Sequence, residues 1–116
     1  MVLAHAQHPG ALVLSAGGRL DHENCEAFQK ALQPHLDTCG SGKSGIVFDL
    51  SRMDYISSAG LRCFMLAAKQ AKAQGGRIVI ASLQPVVAEI FQISRFNLLF
   101  EIFPGVAEAL VALKPA

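Results

Sequence analysis

The sequence predicts an α/β fold, in which about four helices pack on a mostly parallel, mixed β-sheet of about five strands. Short β-favouring runs such as "IVFDL" and "RIVIA" alternate with longer segments in which apolar residues recur every three or four positions. Strands that alternate with helices are joined by right-handed crossovers, which make most of the sheet parallel. Because 52% of the 116 residues are hydrophobic, we expect one buried core and a single domain over residues 1–116.

Five apolar runs are predicted to form the strands. Val2–Gln7 and the following run "ALVL" are expected to pair as a hairpin around Pro9–Gly10, so the leading strand lies antiparallel at an edge. The run "IVFDL" is compact and β-favouring, which is typical of a buried central strand. "RIVIA" is a second buried strand, and "LLFEIF" is the last strand of the sheet.

Four segments have helical periodicity. In the first, "HENCEAFQKALQPHL", Pro34 either kinks the helix or ends it. The second helix runs from Ser58 to about Gln74, where Gly75–Gly76 stops it. The third, "QPVVAEIFQIS", begins with a proline in its first turn, and "GVAEALVAL" forms a short closing helix.

Composition and charge exclude several classes of protein. Ten Lys and Arg residues against nine Asp and Glu give a net charge of +1, so we expect no nucleic-acid partner. The chain has neither a signal peptide pattern nor a long apolar run typical of a membrane span, which predicts a cytoplasmic protein without a membrane partner. The three cysteines are odd in number and widely spaced, as expected of free thiols rather than a zinc site.

Two other motifs have ordinary explanations. Gly42-Lys43-Ser44 ends like a phosphate-binding loop, but the leading glycine is absent, and a helix precedes the loop where a strand should. His22 and Glu26 share a helix face, yet a metal would need a third ligand. They are better explained as a helix start, capped by Asp21 or Asn24. We therefore expect neither a metal nor a cofactor.

The stretch "DYISSAGLR" joins a strand to the second helix and places two serines at the junction. A serine hydrolase would need a Gly-x-Ser-x-Gly elbow followed by an acidic residue and a histidine, but the last histidine is His35. One serine suffices to cap the helix. The second hydroxyl, beside Ala59 and Gly60, is then free at an unobstructed helix end, where a phosphate is tolerated. The free hydroxyl is therefore a candidate modification site, and we expect no catalytic residue.

The chain resembles the STAS domain of bacterial anti-sigma factor antagonists. The likeness is carried by "IVFDL", by the aromatic-Ile-x-Ser-x-Gly-Leu pattern of "YISSAGL" and by the upstream Gly-x-Leu-Asp of "GRLD". "GG" before the next strand and "LQPVVAEIFQIS" extend it over nearly the whole chain. Members often carry an aspartate directly before the acceptor serine, whereas this chain has Ser57.

The resemblance implies a STAS fold and a partner switch rather than an enzyme. An anti-sigma factor serine kinase would bind the unphosphorylated protein and release it on phosphorylating Ser58. A PP2C-type phosphatase would then restore the unphosphorylated form. The expected partner-binding residues are Asp21, Arg52, Asp54, Tyr55, Ser57, Ser58, Ala59, Gly60 and Arg62. The free protein is expected to be a monomer. The alternative is an unphosphorylated STAS subunit that docks on a transporter ATPase.

Overall fold

Two β-sheets and four helices form the fold, and the computed structural model describes residues 3–40 and 45–113. In chain order, the elements are β1 (Ala4–His8), β2 (Ala11–Ser15), β3 (Gly18–Leu20), α1 (Cys25–Leu36), β4 (Gly45–Asp49), β5 (Met53–Ile56), α2 (Ser58–Ala73), β6 (Ile78–Ala81), α3 (Pro85–Ile93), a 3-10 turn at Phe96–Leu98, β7 (Glu101–Phe103) and α4 (Val106–Leu113). The main sheet has the order β1-β2-β4-β6-β7, and β3 pairs with β5 in a second sheet.

The main sheet is parallel except at one edge. Strand β1 runs antiparallel to β2 through a two-residue turn at Pro9 and Gly10, and Gly10 takes the positive φ of 82° that this turn needs. The pairs β2·β4, β4·β6 and β6·β7 are all parallel. Strand β4 lies in the middle of the order, as its compact β-favouring run predicts.

Alternation along the central strands sorts their side chains onto two faces. The larger side chains face α1, α2 and α3; they are Leu12, Leu14, Ile46, Phe48, Ile78 and Ile80. The smaller ones face α4; they are Ala11, Val13, Val47, Val79 and Ala81. The protein therefore has a thick core on one face of the sheet and a thin core on the other.

Phe64 of α2 lies at the centre of the larger core. Its ring contacts Phe48 of β4 edge-on with centroids 4.9 Å apart, Phe28 of α1 at 5.4 Å and Phe91 of α3 at 6.5 Å. All four rings are fully buried. Aromatic pairs at these separations add to the free energy gained by burial alone. Helix α2 is thus fixed on the sheet, and its N-terminus is fixed with it.

The structure confirms the predicted fold class and corrects parts of it. The alternation of strands and helices, the hairpin and the central strand are confirmed. Helix α1 does not end at Pro34 but continues to Leu36, because the buried Leu32 and Leu36 on either side of the proline hold its last turn against the core. The last strand begins at Glu101 rather than Leu98, since Phe96–Leu98 form a 3-10 turn. Val2 and the predicted loop residues 41–44 lie outside the described residues.

The sequence did not reveal β3 and β5. They have three and four residues, and their pairing contains an irregularity between Gly18 and Arg19. In β5 the burial runs buried, exposed, half-buried, buried, so neither face shows a clean alternation. Strands this short with no periodicity cannot be distinguished from turns by pattern. Their parallel pairing nevertheless decides where the candidate site lies.

All three cysteines are free, as predicted. Cys63 lies in the larger core, where burial, and then the neighbouring Cys25 thiol, raise its pKa to about 11. A thiol with so high a pKa stays protonated and unreactive at neutral pH. Within the described residues, no helix combines the length and the hydropathy that crossing a bilayer requires, and no three metal-ligating side chains converge.

A histidine pair makes stability depend on pH. The rings of His5 in β1 and His35 in α1 lie 5.3 Å apart between centroids. Burial, and then the charge of His5, lower the pKa of His35. The unfolded chain then binds a proton more readily than the folded one, so the free energy of unfolding should fall as pH drops below about 6.5.

We expect this fall to be smaller in His35→Gln, which removes the shifted group, and partly reduced in His5→Gln, which removes only the facing charge. Urea unfolding at about pH 7.5 and about pH 5.5 measures the difference for each protein. Equal losses of stability in wild type and His35→Gln would contradict this assignment.

Candidate functional site

The candidate site is built where the second sheet ends. Strands β3 and β5 run parallel with Leu20 opposite Ile56, so the residues that follow them, Asp21 and Ser57, emerge side by side. The backbone N–H of Ser57 donates to the carbonyl of Leu20 at 2.9 Å, which continues the pairing to the first residue of the junction. The Gly-x-Leu-Asp segment is thereby held against the start of α2.

The two serines have different roles. Ser57 is the N-cap of α2: its hydroxyl accepts a hydrogen bond from the Gly60 N–H at 3.2 Å, and its carbonyl accepts the first helical bond from Leu61 at 2.9 Å. Ser58 is the first residue of the helix and is exposed. Within the described residues, its hydroxyl has no hydrogen-bond partner. The capping predicted for one serine is confirmed, and the other hydroxyl is left free.

Gly60 allows the helix to begin this close to β3. A Cβ at this position would lie 2.8 Å from the Leu20 carbonyl oxygen and 2.7 Å from a side-chain carbon of Ile56. The Leu20 carbonyl belongs to the backbone of a paired strand, so it cannot move away from such a contact in the way that a flexible side chain can. Any larger residue would therefore push the start of α2, and Ser58 with it, away from β3. The neighbouring Ala59 is half-buried and leaves the helix end unobstructed.

Charged and aromatic groups surround this helix end. The Arg19 guanidinium lies 4.5 Å above the ring of Tyr55, a cation–π contact between β3 and β5. Its Nε lies 3.7 Å from a carboxylate oxygen of Asp21. The same carboxylate accepts the N–H of Glu23 at 3.0 Å, so Asp21 is held in place from two directions. Sequence reasoning missed Arg19, although it is the variable residue of the Gly-x-Leu-Asp segment.

The predicted capping of α1 takes a different form. Asn24 stands at the N-cap position, but its side chain makes no capping bond to the helix. Its amide oxygen accepts the Asp21 N–H at 2.9 Å, and its amide nitrogen donates to the Arg19 carbonyl at 2.7 Å. Asn24 therefore fixes the turn after β3 rather than the first turn of α1. Asp21 and Arg19 owe their positions to it.

A groove opens beside Ser58. It has a volume of about 450 Å³, and its lining includes Ser58, Arg62, Met65, Ser94 and Phe96. Arg62 follows Ser58 by four residues and lies on the same side of α2. Sequence reasoning named Arg62 but missed Met65, Ser94 and Phe96. Nothing in their spacing indicates that the end of α3 and the 3-10 turn come to lie against α2.

Two predicted contact residues lie further off. Arg52 precedes β5 and its carbonyl accepts the N–H of Gly18, so it lies at the opposite end of the second sheet from Ser58. At about 3.3 Å per extended residue, that end is on the order of 15 Å from Ser57. Asp54 is exposed midway along β5. The structure therefore brings Asp21, Ser57, Ser58, Ala59, Gly60 and Arg62 together, while Tyr55 and Asp54 flank them and Arg52 is remote.

The different roles of the serines can be tested by stability. We expect Ser57→Ala to lower the free energy of unfolding by about 1 kcal/mol, because it leaves the Gly60 N–H without its cap. Ser58→Ala is the matched control, since it removes a hydroxyl without a partner and should change stability little. Urea unfolding measures both variants. A loss in Ser58→Ala as large as that in Ser57→Ala would show that the assignment is reversed.

Comparison with known proteins identifies the family. The STAS domain family matches residues 3–109 of the chain. BtrV of Bordetella bronchiseptica, whose name provisionally assigns it as an anti-sigma factor antagonist, is 37% identical over 107 residues. The match covers 92% of this chain and 90% of BtrV.

Solved structures agree on the fold. An anti-sigma factor antagonist from Mycobacterium paratuberculosis has a TM-score of 0.84 at 20% identity, over 97% of this chain and 92% of that one. The phosphorylated form of the Bacillus cell fate determinant SpoIIAA has a TM-score of 0.70 at 17% identity, over 97% of this chain and 100% of that one. The resemblance in the sequence is thus confirmed, and the chain belongs to the STAS domain family, which includes proteins named as anti-sigma factor antagonists.

Proposed function

We propose that this protein is an anti-sigma factor antagonist controlled by phosphorylation of Ser58. In its unphosphorylated form it binds an anti-sigma factor that is also a serine kinase. Phosphorylation of Ser58 releases it, and a PP2C-type phosphatase restores binding. The protein acts in the cytoplasm as a monomeric binding partner and substrate, not as an enzyme. The observation that supports this proposal most is the exposed Ser58 hydroxyl, which the neighbouring Ser57 frees from capping.

A hydroxyl in this position suits transfer of a phosphoryl group. It lies at the N-terminus of a 16-residue helix without an acidic residue in its first turn. The helix dipole and the free N–H groups there favour an added phosphate. Arg62, one turn further along the same face, can pair with that phosphate in the free protein. The same exposure lets a phosphatase reach the phosphoserine.

Release follows from electrostatics without refolding. A phosphate adds a charge of about −1.5 to −2 and three hydrated oxygens where the partner was in contact. Burying that charge unpaired would cost more free energy than an ordinary interface provides. Because α2 is fixed by the buried Phe64, the helix end cannot retreat to accommodate the added group. The contact with the kinase is therefore lost.

The partner surface centres on the groove beside Ser58. We assign to it Asp21, Ser57, Ser58, Ala59, Gly60 and Arg62, with Tyr55 and Asp54 at its margin and Arg52 at its far limit. An interface of ordinary size covers roughly 800 Å² on each partner. A contact of that size centred on Ser58 would extend to the marginal residues Tyr55 and Asp54. Asp21, held beside Ser57, supplies an acidic group near the position where other family members carry aspartate.

Two measurements test the proposal. Mass spectrometry of the protein isolated from its native cells should find phosphate on Ser58. A pull-down with the anti-sigma factor kinase of the same cells should show that Ser58→Ala keeps binding and that Ser58→Glu weakens it, because only the second places charge in the contact.

Lys30→Glu is the matched control for added charge. Lys30 is an exposed residue of α1 outside the surface assigned to the partner, so this variant should keep the binding. Equal binding by Ser58→Ala and Ser58→Glu would contradict the switch. A Ser58 that is never modified, in a protein that co-purifies with a transporter ATPase, would favour the alternative docking role.

A further inference from the structure

A second concave surface continues the Ser58 groove along α2. It has a volume of about 250 Å³, and its lining includes Met65, Lys69, Lys72 and Leu99. Met65 also lines the first groove, so the two form one surface between α2 and the segment after α3. We call this surface the basic apolar groove and define it by Arg62, Met65, Lys69, Lys72, Phe96 and Leu99. From Arg62 to Lys72 it follows α2 for about 15 Å, at 1.5 Å per residue, and Ser58 lies one turn beyond its Arg62 end.

The segment beside this groove exposes large aliphatic side chains. Ile93 and Leu98 are each 75% exposed, and Leu99 is 61% exposed. Single exposed apolar residues are common on proteins, but three of them within seven residues, beside an apolar groove, mark an interaction surface. Arg95 holds the segment in this form by adopting the left-handed conformation, with φ of 64°.

The charged side chains that line the groove are all positive. Arg62, Lys69 and Lys72 line it, and Arg95 lies between two of its lining residues in sequence. Within residues 3–40 and 45–113, the ion pairs are Arg19–Asp21, Lys30–Glu26 and Arg77–Glu101, so none of these four cations has a carboxylate within 4.0 Å. A partner that covers this surface must supply both apolar side chains and negative charges.

We propose that the basic apolar groove docks an acidic amphipathic segment, with leucine-like side chains on one face and Asp or Glu beside them. The identity of the protein that carries this segment rests on the proposed function: it is the kinase that acts on Ser58. The segment seats the partner along α2, next to the hydroxyl that the kinase modifies. Docking raises the local concentration of the kinase at Ser58.

Two other occupants fit the surface less well. A second copy of this chain, related by a two-fold axis, would bring the same four cations against one another. An anionic membrane would match the charge and accept the exposed aliphatic side chains, but it would leave the two concave halves of this surface unfilled. A helical or extended peptide segment can fill the groove with its apolar side chains and pair its acidic side chains with the cations beside it, as in other helix-in-groove complexes.

The test selects ligands without presuming their charge. A random peptide library on phage is selected on the wild-type protein and depleted on Leu98→Ser/Leu99→Ser, so the retained peptides depend on the apolar side chains of this segment. We expect these peptides to be enriched in Asp and Glu. Their affinity should fall about tenfold for Lys69→Glu/Lys72→Glu and weaken with salt.

Matched controls are Val111→Ser, an exposed aliphatic on α4, and Lys30→Glu, a lysine on α1. Both should bind the selected peptides as wild type does. Retained peptides without acidic enrichment, unchanged affinity for Lys69→Glu/Lys72→Glu, or no retained peptide would overturn the proposal. The proposal would also be overturned if the protein bound phosphatidylglycerol vesicles, or formed a dimer in sedimentation, and Leu98→Ser/Leu99→Ser abolished that binding or dimer.

The proposed function fails separately from this inference. Peptide binding requires neither a kinase nor ATP, so it can succeed even if Ser58 carries no phosphate in native cells. Conversely, Ser58 can be phosphorylated by a kinase that ignores this groove. In that case, Lys69→Glu/Lys72→Glu would be phosphorylated as fast as wild type, whereas docking predicts a rate about tenfold lower.

Discussion

The site depends on the parallel pairing of two very short strands. Strand β3 ends at Leu20 and β5 ends at Ile56, and the Leu20 carbonyl meets both the Ser57 N–H and the bare α-carbon of Gly60. One peptide carbonyl thus sets the position of the helix cap and of the helix start. Because a backbone group makes these contacts, the geometry depends little on which side chains line the surface. The exposed residues can therefore vary with the partner while the position of the hydroxyl stays fixed.

Two adjacent serines separate structure from regulation. Ser57 uses its hydroxyl to hold the helix, and Ser58 keeps its own hydroxyl free. If a single serine both capped the helix and accepted the phosphate, phosphorylation would remove the capping hydrogen bond and loosen the start of the helix. With the roles divided, the added charge changes only what the surface offers to a partner. The rigid packing of Phe64 against three other rings keeps that change local.

Much of the fold follows from the sequence because its signals are long or repeated. Helix α2 has sixteen residues with regular periodicity, and strand β4 is a compact β-favouring run with three apolar residues at its centre, so both were predictable. The serines were also found from sequence, because their position between a strand and a helix is a local feature. The second sheet was not, since three or four residues carry no period and the pairing joins segments more than thirty residues apart. Arg19, Ser94 and Phe96 were missed for the same reason. They lie far from Ser58 in sequence, and only the three-dimensional structure shows that they come close to the start of α2.

The thin core beneath α4 has a consequence for how the protein is made. Val13, Val47 and Val79 form a β-branched strip, and among the described residues α4 and Phe103 of β7 pack against it. A nascent chain that has not yet exposed the residues of α4 from the ribosome can assemble the sheet and its other three helices, but it displays that strip to solvent. Such a strip attracts other unfinished sheets. Fast emergence of the last helix, or a chaperone that shields the valines until it arrives, would then decide how much of the newly made protein escapes aggregation.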